Sequence, residues 1–291
     1  MCRLARLRLM PPDEAGKPEK LNTRQVDAVE HRDGPLAVLA GPGTGKTRVI
    51  IHRIARLIRE GAKPESIVAL TFTVKAATEL NERLRAMVGA AAADRVHAHT
   101  FHGFGQRLIR RFPDLLGLPT EPLLIDSAQK RRLARRLARV RGVFDGVLAE
   151  GMDVLVEEGL AYIAAFQHAG RRPRDCEAFA RTWAERLERG EGDLSPVARE
   201  WARYEQARFA RFVRLYAAFS EECRATGQLT YEDLILLSSG LLSEHPMAAA
   251  MCRSDYQHVV VDEFQDVNAG QIDLLRALCP WDAKSPPDLC V

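Results

Sequence analysis

The stretch LAVLAGPGTGKTRVI, residues 36–50, decides the fold. Its apolar run LAVLA (36–40) is of the kind expected for a strand buried on both faces. The run breaks into glycines, reaches Lys46 and Thr47, and resumes with the i, i+3, i+4 apolar spacing of a helix. A phosphate-binding loop has the pattern G-x-x-x-x-G-K-[ST] between a strand and a helix, and here Ala40 takes the first glycine position ahead of Gly45, Lys46 and Thr47. A small residue without a branched side chain serves there. Gly41, Gly43, Thr44 and Gly45 then let backbone N–H groups curl around phosphate oxygens at a helix N-terminus, where the dipole favours negative charge. Lys46 would reach the β and γ phosphates of ATP and Thr47 would ligate Mg²⁺, with Arg48 completing the nucleotide-binding set. The bland alternative, a tight glycine turn between strand and helix, is disfavoured because both flanking elements sit where the motif needs them.

Working outward, the pattern alternates. TRVIIHRIARLIREG reads as a helix stopping at Gly61, SIVALTFT (66–73) as a strand, KAATELNERLRAMVG (75–89) as a helix and RVHAHTFH (95–102) as a third strand. Alternation of this kind means a parallel α/β sheet. From about Pro113 to Gly227 no strand pattern is evident, and charged helical segments take over: SAQKRRLARRLARV, CEAFARTWAERLER and REWARYEQARFARFVRLYAAFSEECRAT. HVVVDEFQD (258–266) restores a buried strand, AGQIDLLRALC is another helix, and DLCV begins a further strand whose open edge would favour association. The expected division is a leader over 1–20, an α/β domain over 21–112 and 230–291, and a helical subdomain inserted over 113–229.

A phosphate loop needs a second carboxylate source for its metal. The VVVDEFQD strand delivers Asp262 and Glu263 to its C-terminal end, where open α/β sheets place their ligands. Asp262 suits the Mg²⁺ shell, and Glu263 could orient or deprotonate the attacking water, with Lys46 as the other catalytic group.

The chain has 291 residues, 46% of them hydrophobic and 28% charged, the composition of an ordinary globular protein. A net charge of +3 does not by itself indicate a polyanionic partner. The six cysteines form no C-x-x-C pair, which argues against a zinc site or disulfide framework and points to a reducing cytoplasm. No apolar run approaches the roughly 20 residues of a membrane span. The basic run KRRLARRLARVR (130–141) admits two readings, a surface for a duplex junction or a solvated helix face, and the second is the commoner for a charge run. Trp183, Trp201, Phe209, Phe212, Tyr216 and Phe219 fall at helical spacings, as core residues do.

LNTRQVDAV, AGPGTGKT, TFTVKAATEL, HTFHGFGQRL and VVVDEFQDVN stand in the order found in superfamily 1 DNA helicases of the UvrD, Rep and PcrA type, and the chain resembles that family from Leu21 to about Leu278. The resemblance implies a RecA-like phosphate-loop domain carrying a helical insertion, with ATP and Mg²⁺ as cofactors and single-stranded DNA as partner. It implies that Gln25 reads the adenine edge, that Phe72 stacks on a base, and that Thr71, Thr73, Thr100 and His102 contact backbone phosphates at strand ends. From the residues alone, Phe72 serves equally as a core ring. Val74 departs from the family, which commonly has Asn there. Relatives continue past DLCV into a second RecA-like domain with arginines that complete the ATP site. A polypeptide of these 291 residues is therefore expected to bind ATP and to hydrolyse it poorly. The rival reading is a non-enzymatic nucleotide-binding switch or adaptor.

Overall fold

Five residues, IVALT, are covered on both faces: Ile67 through Thr71 are each at most 1% exposed. This is the central β1 (Ile67–Thr71), and its flanks are parallel strands. The computed structural model describes residues 21–32, 34–41, 43–119, 121–145, 149–280 and 287–291; the expected leader lies outside them.

The described residues of Met1–Arg107, together with Leu241–Val267 and Leu274–Val291, form one compact unit, and Leu108–Gly240 with Asn268–Asp273 forms another. In chain order the elements are α1 (Thr23–Glu30), α2 (Lys46–Arg59), β1, α3 (Val74–Val88), α4 (Ala90–Ala93), β2 (His97–Thr100), α5 (Phe101–Arg111), α6 (Pro113–Leu116), β3 (Leu123–Leu124) and α7 (Ser127–Val140). There follow α8 (Ala149–His168), α9 (Pro173–Glu188), α10 (Pro196–Ala225), β4 (Gln228–Leu229), α11 (Tyr231–Glu244), α12 (Pro246–Asp255), β5 (His258–Val261), α13 (Ala269–Leu278) and β6 (Asp288–Cys290).

The first unit holds a parallel sheet in the order β2-β1-β5-β6. Beyond β6 the Leu36 segment adds a bridge to Cys290, with Leu36 N–H donating to Leu289 O at 2.8 Å and Val38 N–H to Val291 O at 2.7 Å. The expected strand 36–40 is thus reduced to ladder contacts at Leu36 and Val38, and Leu39 is 64% exposed, so it is not buried on both faces. The same contacts correct the open edge expected for DLCV, because β6 is bonded on one side to β5 and on the other to the Leu36 segment. Ile54, Ile67, Leu80, Leu84 and Val260 centre the core of this unit. Removing one such leucine side chain would cost about 2–5 kcal/mol.

A buried cation ties the sheet to α2. Arg53, with no exposed surface, donates two hydrogen bonds at 2.9 Å to Asp288 and one at 2.8 Å to His31 O. Burial alone would raise the Asp288 carboxyl, but His258 and Arg53 hold it below its ordinary value. Among the described residues no single helix is long and apolar enough to cross a membrane.

RVHAHTFH is the clearest misreading of an element. The strand ends at Thr100, whose Oγ1 accepts from Gly103 N–H at 3.0 Å, and α5 begins at Phe101. His102 therefore lies in the first turn of a helix and not at a strand end.

β2 also carries two histidines disfavoured as cations. Burial, then Arg107 and His99, lowers the His97 pKa to about 4, and burial with Arg107 lowers that of His99. Folding favours their neutral forms, so their contribution is complete above the ordinary histidine value of 6.5 and is lost as pH falls from there towards about 4. Melting temperature should drop between pH 7.5 and 5, and less steeply in His97→Phe; equal slopes for the two proteins would contradict this.

In the second unit α7, α8 and α10 pack around Phe144, Phe212, Tyr216 and Phe219, each at most 2% exposed. Trp201, expected in the core, is 66% exposed. The one strand signal missed is small: β3 pairs with β4 over two residues each. α8 was hidden by Gly159, which a helix tolerates poorly. A Cβ there would come within 2.6 Å of Leu215, so the glycine permits α8 to approach α10.

The basic run on α7 resolves into ion pairs. Lys130 meets Glu232, Arg136 meets Glu222 at 2.6 Å and Arg141 meets Glu221 at 3.0 Å, while Arg131 and Arg135 contact Glu157 and Asp153.

Candidate functional site

The site grows from the N-terminus of α2. Gly43 and Gly45 have φ of 71° and 85°, a region nearly closed to other residues, and this turns the loop back over the helix start. Thr44, 4% exposed, closes the turn by donating from Oγ1 to Gly41 O at 2.7 Å. Lys46 folds onto the loop, its Nζ donating to Ala40 O at 3.3 Å and Gly41 O at 3.4 Å. Ala40 thus supplies a carbonyl, for which any residue without a bulky side chain suffices.

The expected metal pair is assembled. Thr47 Oγ1 donates to Asp262 Oδ2 at 3.1 Å, although 215 positions separate them. Asp262 is placed at the end of β5 by its N–H bond to Leu70 O at 2.9 Å, and its Oδ1 accepts from Glu263 N–H at 3.0 Å. Burial raises the Asp262 pKa, helped by the Glu263 charge and opposed by Thr47 and Lys46. A hydroxyl and a carboxylate are hard oxygen donors, which fit Mg²⁺ bound with waters and phosphate oxygens.

Glu263 has φ of 53° and is the one non-glycine residue with positive φ among the described residues. Such a conformation costs of order 1–3 kcal/mol and marks functional turns. It brings the carboxylate Oε2 to 3.9 Å from Lys46 Nζ, and Gln265 Nε2 donates to the same oxygen. Gln265 was not singled out from the sequence; its only signal was its place inside DEFQD.

Gly43, Lys46, Asp262, Glu263 and Gln265 line one cleft of about 550 Å³, and Phe72 and Thr73 are also on its wall. Phe72 is partly buried, its ring 6.0 Å from that of Phe101. Thr71, 1% exposed, donates to Thr73 O at 3.0 Å, while Thr73 is exposed and caps α3 by accepting from Ala76 N–H at 3.1 Å. Thr100 caps α5 as described. Thr73 and Thr100 thus stand at helix N-termini, whereas the Thr71 side chain is turned inward. Val74 is 74% exposed.

Gln25 stands beside the phosphate loop. It has no exposed surface, its Nε2 donates to Thr44 O at 3.1 Å, and its Oε1 accepts from Asn22 N–H at 2.9 Å and from Arg48 at 3.3 Å. Both ends of the amide are engaged inside the chain, joining α1 to the phosphate loop.

Comparison with known proteins agrees with this geometry. "ATP-dependent DNA helicase PcrA" of Leuconostoc citreum is 29% identical over 264 residues, 89% of this chain and 31% of its own length. "DNA helicase II" of Escherichia coli (strain K12) is 30% identical over 261 residues, 89% of this chain and 32% of its own. "ATP-dependent DNA helicase PcrA" of Staphylococcus aureus (strain Mu50 / ATCC 700699) is 28% identical over 275 residues, 93% of this chain and 32% of its own. The chain thus spans about a third of the length of these relatives. The profile described as "UvrD/REP helicase N-terminal domain" matches residues 21–291, and the chain belongs to the UvrD/REP helicase family.

Proposed function

We propose that this chain is the ATP-binding half of a DNA-translocating motor. Residues 21–112 and 230–291 would form its RecA-like domain, with 113–229 as a helical insertion. The observation that carries the reading is the single cleft whose wall holds Lys46, Asp262 and Glu263 together with Phe72 and Thr73. Nucleotide chemistry and an aromatic platform for a nucleobase share one space, so a change at the phosphates can be felt at the strand.

In this reading Lys46 leaves the carbonyls of Ala40 and Gly41 for the β and γ phosphates, with Gly41, Gly43, Thr44 and Gly45 as the cradle. Thr47 and Asp262 hold Mg²⁺, which supplies charge neutralisation at the phosphates. Glu263 orients water and takes its proton, and Arg48 lies beside the base. Gln25, beside the loop, meets the adenine edge. Phe72 stacks on single-stranded DNA, and Thr73 and Thr100, with His102 in the first turn of α5, meet its phosphates. Movement of the whole protein 3′ to 5′ rests on the family resemblance. The neutralised α7 favours the solvated-face reading of its arginines over contact with a duplex junction.

Phe72→Ala tests the DNA side. It should weaken binding of a labelled single strand by about 1–3 kcal/mol, with little dependence on base composition. Unchanged DNA affinity together with a large fall in melting temperature would make Phe72 a packing residue and contradict the reading.

A further inference from the structure

α10 runs for 30 residues in the second unit, and its neighbours cover one side of it. Ser195 caps its start by accepting from Ala198 N–H at 3.3 Å, and Pro196 takes the first helical position. On the covered side Gln206 Nε2 donates to Ala180 O of α9 at 3.0 Å, and the Phe209 ring meets those of Phe179 and Trp183. Phe212, Leu215 and Tyr216 enter the core. Val197, Glu200, Tyr204, Ala207, Arg211 and Arg214 are all exposed, Val197 by 78% and Tyr204 by 64%. They recur at alternating steps of three and four residues, so they form one line along about five turns of the helix.

The line changes character from end to end. It begins with the aliphatic Val197 and the acid Glu200, has Tyr204 and Ala207 at its middle, and finishes in Arg211 and Arg214. Glu200, Arg211 and Arg214 form no ion pair with any described residue. Single exposed apolar side chains are ordinary, but Val197, Trp201 and Tyr204 follow one another on adjacent turns, and a contiguous exposed strip of this kind marks a contact surface. A polyanion fits it poorly, because Glu200 stands in the line and the bases are confined to one end.

The order complements itself when reversed. A second helix laid antiparallel about a two-fold axis between Tyr204 and Ala207 sets Glu200 opposite Arg211 and Tyr204 opposite Ala207. The same axis sets Val197 against the aliphatic stem of Arg214. Acid meets base and large meets small, each pairing occurs twice, and the three-and-four spacing is that of a helix seam. We propose that this line is an interface with a second copy of the chain, formed by two α10 helices side by side and antiparallel. It requires neither nucleotide nor DNA.

Sedimentation equilibrium of the purified chain from about 1 to 200 μM tests it, since a contact one helix wide belongs to the weak class of interfaces. Wild type should dimerise within that range. Glu200→Arg and Arg211→Glu each place like charges opposite one another and should weaken the dimer about tenfold or more, while the two changes together should restore it. All these positions are exposed, so melting temperatures should match wild type. Should the double variant fail that control, Tyr204→Lys, also exposed, decides by weakening the dimer in the same way. Wild type that stays monomeric, a dimer indifferent to Glu200→Arg, or a folded double variant that does not recover would each overturn the interface. A monomeric wild type whose affinity for duplex DNA falls in Arg211→Glu would give the line to nucleic acid and overturn it too.

Discussion

A polypeptide of these 291 residues should bind Mg²⁺-ATP and turn it over at no more than a trace rate. Lys46, Thr47, Asp262 and Glu263 can hold phosphate, metal and water, but charge that develops on the transferring phosphoryl group needs further cationic stabilisation. Lys46 is the one cation among the described residues lining the cleft. In related phosphate-loop enzymes an arginine supplied from outside the loop domain is worth about 10³ to 10⁵ in rate, which sets the size of the expected deficit. Stepping along DNA also needs two bodies that close on ATP and reopen after hydrolysis. A steady-state ATPase assay with and without single-stranded DNA reads this directly. Turnover of about 1 s⁻¹ or more, ordinary for an enzyme, would mean that the chain completes its own site or borrows an arginine from a second copy.

The Lys46→Ala variant should bind ATP about one to two decades more weakly, the equivalent of one charge-assisted contact of roughly 1.5–3 kcal/mol. Its fold should survive. Lys46 Nζ is bonded to two loop carbonyls at 3.3 and 3.4 Å and lies 3.9 Å from the half-exposed Glu263, so its removal strands no buried charge. Titration of a fluorescent ATP analogue alongside a melting curve separates the two effects. Equal affinities for wild type and variant would contradict the phosphate-loop assignment, and a large loss of melting temperature would give Lys46 a structural role that its contacts do not suggest.

Most of the parallel sheet was legible because strands buried on both faces write themselves as continuous apolar runs. SIVALTFT became β1 with its ends moved by one and two residues, and HVVVDEFQD became β5 over its first four residues, His258–Val261. LAVLA failed in part because a run of apolar residues does not reveal how many backbone partners it will find, and here only Leu36 and Val38 are bonded into the sheet. RVHAHTFH failed at its end because alternation continued past the point where Thr100 could cap a helix, a competition between side-chain period and a local hydrogen bond. α8 was missed because Gly159 lowers intrinsic helix propensity while its tertiary role is close contact with Leu215.

The site was legible where spacing carries the chemistry. Thr47 and Asp262 were paired from motif logic alone and stand 3.1 Å apart. The strained turn at Glu263 and the Gln265 contact were not legible, since neither backbone sign nor a two-residue side-chain bond has a sequence signature. The contacts of Gln25 with Thr44 and Asn22 were not legible in the sequence, where its place came from the family resemblance.

The claim at the centre of the account is that the phosphate loop and the β5 carboxylate hold one metal–phosphate centre. The Mg²⁺ dependence of ATP affinity in wild type, Thr47→Ala, Asp262→Ala and the double variant tests it most directly, because partners in one coordination shell behave non-additively. Wild type should bind ATP more tightly with Mg²⁺ than without, each single variant should lose most of that enhancement, and the double variant should be no worse than the poorer single. Enhancement that survives in Asp262→Ala, or losses that simply add, would separate the loop from the carboxylate and contradict the site.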